Sequence, residues 1–356
     1  MNRFFLLLLI LCLPKASYSF TGTAEVNGIN YYIITKGNTA EVSQGSYSGE
    51  ITIPATIDYE GVTCNVVAIG KNAFENCVNL TSVHMSENIT SIKDEAFTGC
   101  VNLLSVYLSK NVTFIGRNAF YNCKVLNIHI TDLSAWCKIK HNFETPYNYA
   151  YHLYQNGEEI LNLVIPDDVE EIADHAFYGC MYINSVSIPS SVKTIDSYAF
   201  AYMKNLNSLE IAEGIKTIEA GAFANNTTLK ILRIPQSIKK LGSYCFGNCK
   251  ELTDVYCYAI SLPTMEGVTR RDQFDDCGIE YATLHVPAES LDSYKKTRPW
   301  NSFGNIVALT EQETGINPVS ITADNSTAII YNLRGERLNA PQKGINIING
   351  KKIIVK

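Results

Sequence analysis

The sequence predicts a solenoid of stacked repeats with short parallel strands, followed by a small all-β unit at its C-terminal end. Two observations predict the solenoid: a 23-residue spacing of phenylalanine and apolar residues at fixed positions within each spacing. The alternation of apolar residues after residue 319 predicts the second unit. The phenylalanines in phase are Phe74, Phe97, Phe120, Phe177, Phe200, Phe223 and Phe246. Such a period is typical of repeat proteins, in which one unit cannot bury its apolar side alone.

Residues 1–19 have the pattern of a secretory signal peptide. A basic Arg3 precedes an apolar run, and small residues at Ser17 and Ser19 predict cleavage after Ser19. Cys12 is interpreted as part of the apolar run and not as a lipid anchor. No later stretch is long and apolar enough to cross a bilayer, so we expect an exported protein without a transmembrane segment.

The charge of the chain argues against two classes of partner. The formal net charge of the 356 residues is −6, and removal of Arg3 and Lys15 with the signal peptide changes it to −8. A modestly acidic protein has no electrostatic basis for binding nucleic acid or anionic membranes.

Residues 20–65 are predicted to form a β-rich lead-in that caps the first repeat. Alternation from Ile29 to Ile34 and a turn-rich segment before Ile51 predict short strands there. Repeat proteins need such caps because an open end would expose the core.

Residues 66–262 are predicted to hold the repeats. In each repeat an alternating apolar pair predicts a strand on one concave sheet, and the segment around Phe predicts a turn with short helical character on the convex side. The interval between Phe120 and Phe177 is 34 residues longer than one period, which predicts an insertion at about residues 131–159. Its aromatic residues admit two interpretations, a binding loop or a small core of its own.

The cysteines have two possible roles. Eleven are present, and ten remain if Cys12 is removed with the signal peptide. Export favours disulfides, whereas five of them share one column of the repeat, in which Met203 and Asn226 also occur. That column is interpreted as a packing position with free thiols. Its cysteines are Cys77, Cys100, Cys123, Cys180 and Cys249. The remaining five, which are less constrained, are Cys64, Cys137, Cys245, Cys257 and Cys277.

The end of the chain is predicted in three parts. Residues 263–308 form a C-terminal cap with a last strand at residues 282–286, residues 309–318 form a linker, and residues 319–356 form a small β unit. Asn349-Gly350 between apolar residues predicts a hairpin.

Two segments resemble known families. The units AIGKNAFENCVNLTSVHMSENIT and TIDSYAFAYMKNLNSLEIAEGIK resemble the BspA-like leucine-rich repeats of Bacteroidetes surface proteins, over roughly residues 25–308. The resemblance implies a non-enzymatic surface protein that acts in adhesion or host interaction. The tail IIYNLRGERLNAPQKGINIINGKKIIVK resembles the sorting domains of type IX secretion but is shorter than they are.

No catalytic or cofactor motif is present in the sequence. Phosphate loops, the His-Glu-x-x-His motif and the Gly-x-Ser-x-Gly motif are absent, and the histidines lack metal-ligand spacing. We therefore predict no enzyme activity, no cofactor and no metal, although a triad assembled across repeats is not excluded by sequence.

The candidate binding residues lie in the exposed column of the predicted strands, because side chains alternate across a strand. They are His84, Tyr107, His129, Glu210, Arg233, Tyr256 and Tyr258. An alternative is that Glu210 and Arg233 simply pair with each other. The leading hypothesis is adhesion or protein binding, with host or extracellular-matrix ligands. The second is a glycan-binding module built on the insertion residues Trp136, Tyr147, Tyr149, Tyr151 and Tyr154.

Overall fold

The structure, a computed structural model, describes residues 21–34, 37–123, 126–141, 151–265, 272–310, 313, 330–332, 337–338, 344–348 and 351–355. The predicted signal peptide and the predicted linker, apart from residues 309, 310 and 313, lie outside these ranges. The chain divides into two compact units. Unit 1 comprises Met1–Thr131 with Asn142–Tyr149, and unit 2 comprises Asp132–His141 with Ala150–Lys356.

Unit 1 begins with an antiparallel meander and continues as parallel coils. One sheet has the order β1-β2-β3-β6-β8-β10, with β5 paired to β6, and another contains β4, β7, β9 and β11 in the order β11-β9-β7-β4. The strands are β1 (Thr21–Val26), β2 (Ile29–Ile34), β3 (Thr39–Val42), β4 (Gly49–Ile53), β5 (Thr56–Tyr59), β6 (Val62–Ile69), β7 (Leu80–Met85), β8 (Ser91–Ile92), β9 (Ser105–Tyr107), β10 (Phe114–Ile115) and β11 (Leu126–Ile130).

Unit 2 contains the remaining coils and the C-terminal sheet. Before and within the coils lie α1 (Leu133–Trp136), β12 (Lys140–His141), β13 (Tyr151–Gln155), β14 (Glu158–Glu159), β15 (Asn162–Val164), β16 (Glu171–Ile172), β17 (Ser185–Ile188), β18 (Thr194–Ile195), β19 (Ser208–Ile211), β20 (Thr217–Ile218), β21 (Ile231–Ile234), β22 (Lys240–Leu241), β23 (Asp254–Cys257), β24 (Thr264–Met265), β25 (Thr283–Val286), α2 (Leu291–Lys296) and β26 (Asn305–Ala308). Single turns of 3-10 helix span Ile279–Tyr281, Ala288–Ser290 and Trp300–Ser302.

The longer strand of each coil forms because its residues alternate. In β17, Val186 and Ile188 are buried, and the residues between them face outward. Its parallel partner β19 lies in register one period later, with Val186 opposite Leu209. Identical spacing therefore places like residues in one column, and each column buries a continuous apolar row.

A second parallel ladder runs along each unit. In unit 2 it has the order β16-β18-β20-β22-β24, and each of its strands is two residues long. The sequence predicted one sheet, and these strands were identified only as apolar anchors. Two residues are too few to show the alternation on which strand prediction depends.

The phenylalanine column forms a stack of rings. In unit 1, Phe97 lies between Phe74 at 4.9 Å and Phe120 at 5.2 Å, with nearly parallel rings. The Phe74 N–H also donates to the carbonyl of Ala96 on the next coil, at 2.7 Å. Tyr47 packs on Phe74 from the preceding segment, with centroids 4.7 Å apart.

The stack in unit 2 extends one coil beyond the prediction. Phe274 stacks on Phe246 at 5.6 Å, although it follows Phe246 by 28 residues and is out of phase. Trp300 and Phe303 then contact Phe274 edge-on, which ends the stack. The predicted last strand, residues 282–286, corresponds to β25, but β26 follows it in the same sheet.

The cysteine column carries hydrogen bonds as well as apolar contacts. Each thiol points at a phenylalanine carbonyl of the preceding coil, as in Cys100 Sγ to Phe74 O at 2.9 Å and Cys249 Sγ to Phe223 O at 3.4 Å. Asn226 makes the same bond to Phe200 O through its side-chain amide, at 3.0 Å. The interpretation as a packing position was therefore incomplete.

Cys277, which was not assigned to a column, belongs to this cysteine column. It lies three residues after Phe274, and its thiol donates to Phe246 O at 3.0 Å. All ten cysteines within the described ranges are buried free thiols.

The C-terminal sheet has the order β28-β27-β29-β30, with β27 (Ile330–Asn332), β28 (Arg337–Leu338), β29 (Gly344–Ile348) and β30 (Lys351–Val355). All its pairings are antiparallel, and Ile348 lies opposite Lys351. The predicted small all-β unit is therefore confirmed. The Asn349-Gly350 pair itself lies outside the described residues.

Candidate binding surface

Three rings stack along the exposed column of unit 1. The parallel register places His84 opposite Tyr107 and Tyr107 opposite His129. Ring centroids are 4.0 Å and 4.1 Å apart, and both interplanar angles are 10°. Glu50 on β4 reaches His84, with Oε1 3.2 Å from Nε2. The ring faces are largely occupied by their neighbours, so the column presents ring edges and polar atoms.

The buried end of this column has an altered proton affinity. Burial lowers the pKa of His129, and the neighbouring His84 lowers it further. Both effects disfavour a second positive charge within the column. The column therefore carries little positive charge near neutral pH.

A similar stack lies on the exposed column of unit 2. Arg233, Tyr256 and His285 occupy matching positions on β21, β23 and β25. The Arg233 Cζ lies 4.9 Å from the Tyr256 ring centroid, and His285 stacks on the other face at 4.2 Å. The guanidinium is thus held over an aromatic face, where the ring quadrupole attracts it.

Two carboxylates hold the histidine end of this stack. His285 Nε2 lies 3.1 Å from Asp254 Oδ1, and Nδ1 lies 3.2 Å from Glu313 Oε1, although only the first contact has hydrogen-bond geometry. Hydrogen bonds from Thr310 lower the pKa of Glu313, and its carboxylate is ionised at neutral pH. The stack therefore has a fixed order of charge, with a cation at one end and carboxylates at the other.

Tyr258 extends the cationic end of the stack. Its hydroxyl hydrogen-bonds with Arg233, and burial raises the pKa of Tyr258 while Arg233 opposes that rise. Burial, more than the nearby Asp254, also raises the pKa of Tyr256. Both phenols stay neutral at physiological pH and can donate to a partner.

The alternative pairing of Glu210 with Arg233 does not occur. Glu210 is exposed on β19, and among the described residues no ion pair joins it to Arg233. Arg233 contacts Tyr256 and Tyr258 instead.

Glu50, Asp254, His285 and Glu313 were not identified from the sequence. His285 could have been, because it lies between the inward Leu284 and Val286 exactly as the other column residues do. Glu313 had no such signal, since it lies outside any strand and reaches the column through the fold.

The aromatic insertion does not provide the predicted stacking platform. Trp136 is 3% exposed, and its ring contacts His141 and Tyr151 edge-on. Tyr151 is half-buried, with its hydroxyl donating to Ala176 O at 3.4 Å. A sugar cannot stack on a buried indole, so the prediction for Trp136 is wrong. The aromatic residues of the segment instead form a local core.

The other members of that predicted site are divided. Tyr154 is half-buried at the hairpin β13–β14, and Tyr147 and Tyr149 lie outside the described residues. His152, also on β13, stacks on Tyr182 with centroids 3.6 Å apart and pairs with Glu159.

Within the ranges that the structure describes, no group of three or more His, Cys, Asp or Glu side chains is arranged to hold a metal ion. Nor does any helix there have the length and apolar character that a membrane span requires.

Coils of constant length, two parallel ladders and columns of like residues define a solenoid repeat protein. The family model of the BspA type leucine rich repeat region matches residues 18–142 and 148–277 in six copies. The chain therefore belongs to the BspA-type leucine-rich-repeat family.

Solved structures that match the chain are leucine-rich-repeat proteins at low identity. One from Eubacterium ventriosum is 19% identical, covers 81% of this chain and 85% of its own, and has a TM-score of 0.41. One from Bacteroides ovatus is 19% identical, with 82% and 100% covered and a TM-score of 0.32. The pneumococcal vaccine antigen PcpA is 16% identical, with 81% and 99% covered and a TM-score of 0.38. A search of curated proteins found no match.

Proposed function

We propose that this chain is an exported cell-surface protein that binds a protein partner through the exposed strand face of unit 2. The observation that carries the proposal is the stack of Arg233, Tyr256 and His285, which is fixed by ring contacts and by Asp254. Binding of this kind is in keeping with membership of a repeat family whose coils offer long, continuous faces.

The composition of the stack favours protein recognition. Tyr and Arg are enriched among residues that dominate binding energy at interfaces. Side chains already held in one rotamer lose less entropy on binding than free ones do. Arg233, clamped between Tyr256 and Tyr258, meets both conditions.

The partner we propose is a host or extracellular-matrix protein. Export rests on residues 1–19, which have the pattern of a signal peptide, and on the tail, which resembles a type IX sorting domain. A protein exported in this way acts outside the cell, where matrix proteins are available. The His84, Tyr107 and His129 column is a second candidate surface on the same basis.

The experiment is a binding screen of residues 20–356 against immobilised extracellular-matrix proteins and a glycan array. We expect saturable binding to a protein that is lost in Arg233→Ala and Tyr256→Ala, while the thermal unfolding midpoint stays unchanged. Binding to glycans alone, or protein binding that both variants retain, would contradict the proposal.

A further inference from the structure

The strand face of unit 2 is interrupted between β19 and β21. β19 is the last strand of a three-stranded sheet and β21 the first of a four-stranded one, although the two strands lie side by side. Among the residues that the structure describes, no backbone ladder joins them. The same two coils remain paired in the second ladder, where β20 pairs with β22. They also remain stacked through Phe223 and Phe246.

Side chains hold the two coils together at both ends of the interruption. Before the strands, Thr228 Oγ1 donates to Lys204 O and Leu206 O at 3.0 Å and 2.9 Å. After them, the Glu213 carboxylate accepts from the N–H groups of Gln236 and Ser237 at 2.9 Å and 3.0 Å. The interruption is thus bracketed by specific bonds and is a built feature of the fold.

Pro235 contributes to the interruption. It occupies the position at which Ala212, one period earlier, donates its N–H to Ile188 O at 3.0 Å. Proline has no N–H, so this cross-strand bond cannot form between β19 and β21. The neighbouring pair of strands keeps its ladder because Ala212 supplies that donor.

A groove of about 740 Å³ lies over this interruption. Its lining includes Glu210 on one rim, Lys230 and Arg233 on the other, and Ile231, Pro235 and Tyr258. Ile231 is 40% exposed, which is high for an isoleucine within a sheet. The groove therefore combines apolar surface with a cationic rim, as peptide-binding and ligand-binding grooves do.

The cationic rim has unused charge. Lys230 is 67% exposed, and its contact with Glu251 is 3.8 Å long, so solvent weakens it strongly. Arg233 makes its described contacts with tyrosines and with no carboxylate. Of the two acidic residues in the lining, Glu213 is committed to the turn at Gln236 and Ser237.

We propose that this groove binds an extended peptide segment of the partner, with an Asp or Glu side chain placed against Arg233 and Lys230. This inference rests on the protein-binding function proposed above and assigns the chemistry of the bound segment. A guanidinium binds a carboxylate through two parallel hydrogen bonds, which gives direction as well as attraction. An apolar side chain next to that carboxylate covers Ile231.

The test is selection of a displayed library of random heptapeptides on the protein, residues 20–356. We expect enriched sequences to carry an Asp or Glu flanked by apolar residues. Selected peptides should bind at least ten-fold more weakly to Lys230→Glu and to Ile231→Glu. Lys250→Glu is the matched control, because Lys250 is similarly exposed and lies outside the groove. All three variants should keep the thermal unfolding midpoint.

The outcomes separate this proposal from the proposed function. Absence of enrichment, enrichment without acidic residues, or equal binding by the Lys230 and Ile231 variants would overturn the groove proposal. If matrix-protein binding then persists and depends on Tyr256, the proposed function stands without the groove. Selected acidic peptides together with no matrix binding would keep the groove and reject the matrix partner.

Discussion

The thiol of Cys100 donates a hydrogen bond to the carbonyl oxygen of Phe74, 2.9 Å away on the preceding coil. The Cys100 side chain is fully buried, so the bond is made without competition from water. Asn226 makes the equivalent bond to Phe200 O with an amide. The column therefore selects a small donor as well as a small apolar group.

This relationship predicts an unusual order of stability. Cys100→Ala should lower the free energy of unfolding by about 1–3 kcal/mol, since it removes the donor and leaves a cavity. Cys100→Ser should be less destabilising than Cys100→Ala, because its hydroxyl keeps the donor. Thermal and urea unfolding would measure both. If the alanine variant is the more stable of the two, the position is purely apolar.

Buried thiols also predict a loss of stability at high pH. Burial, more than any other influence, raises the pKa of Cys180 from 9.0 to about 12. Above pH 9 the unfolded chain gains the thiolate form while the folded chain stays neutral, so stability falls between pH 9 and 12. We expect Cys180→Ser to show a smaller fall in the thermal midpoint over this window. An identical slope in the variant would exclude the thiol as its source.

His141 predicts the opposite dependence in acid. Burial lowers its pKa from 6.5 to about 3, with a further contribution from His175. Below pH 6.5 the unfolded chain binds a proton that the folded chain does not, so stability present above pH 6.5 is lost toward pH 3. The loss is about 1.4 kcal/mol per pH unit at most.

The variant His141→Phe removes this titration. Its free energy of unfolding, measured in urea between pH 7 and 4.5, should fall less steeply than that of the wild type. His84→Phe is the control, since His84 is partly exposed. Equal slopes in the wild type and His141→Phe would contradict the expectation.

Glu213 is predicted to stabilise the coils beside the interrupted ladder. Glu213→Ala removes two backbone hydrogen bonds to Gln236 and Ser237 and should lower the free energy of unfolding by about 1 kcal/mol. Glu251→Ala should have almost no effect, because its contact with Lys230 is 3.8 Å long and exposed. Thermal unfolding of the two variants side by side makes the comparison, and equal midpoints would argue against the bracketing role of Glu213.

The repeat architecture could be predicted because a column of like residues appears in the sequence as a period. Phe74 and Phe97 announce their stacking by spacing alone. Phe274 could not be assigned, since the added length before it moves it out of phase, yet its ring stacks on Phe246. The two-residue ladder was likewise invisible, because alternation needs a longer strand.

The candidate surface could be predicted in part for the same reason. Strand alternation correctly placed Tyr107 and Arg233 on the outer face. Which neighbours touch depends on side-chain direction, so the pairing of His285 with Asp254 required coordinates. Aromatic content alone misled at Trp136, because the sequence does not show whether an inserted ring faces inward or outward.

The most direct test of protein binding by the unit 2 face compares Tyr256→Ala with Tyr281→Ala by surface plasmon resonance over the matrix protein found in the screen. Tyr281 is the matched control, because it is 89% exposed and contributes no ring to the stack. We predict that Tyr256→Ala weakens binding about thirty-fold, or about 2 kcal/mol, and that Tyr281→Ala leaves it unchanged. Equal affinity of the two variants, with both folded, would contradict the account.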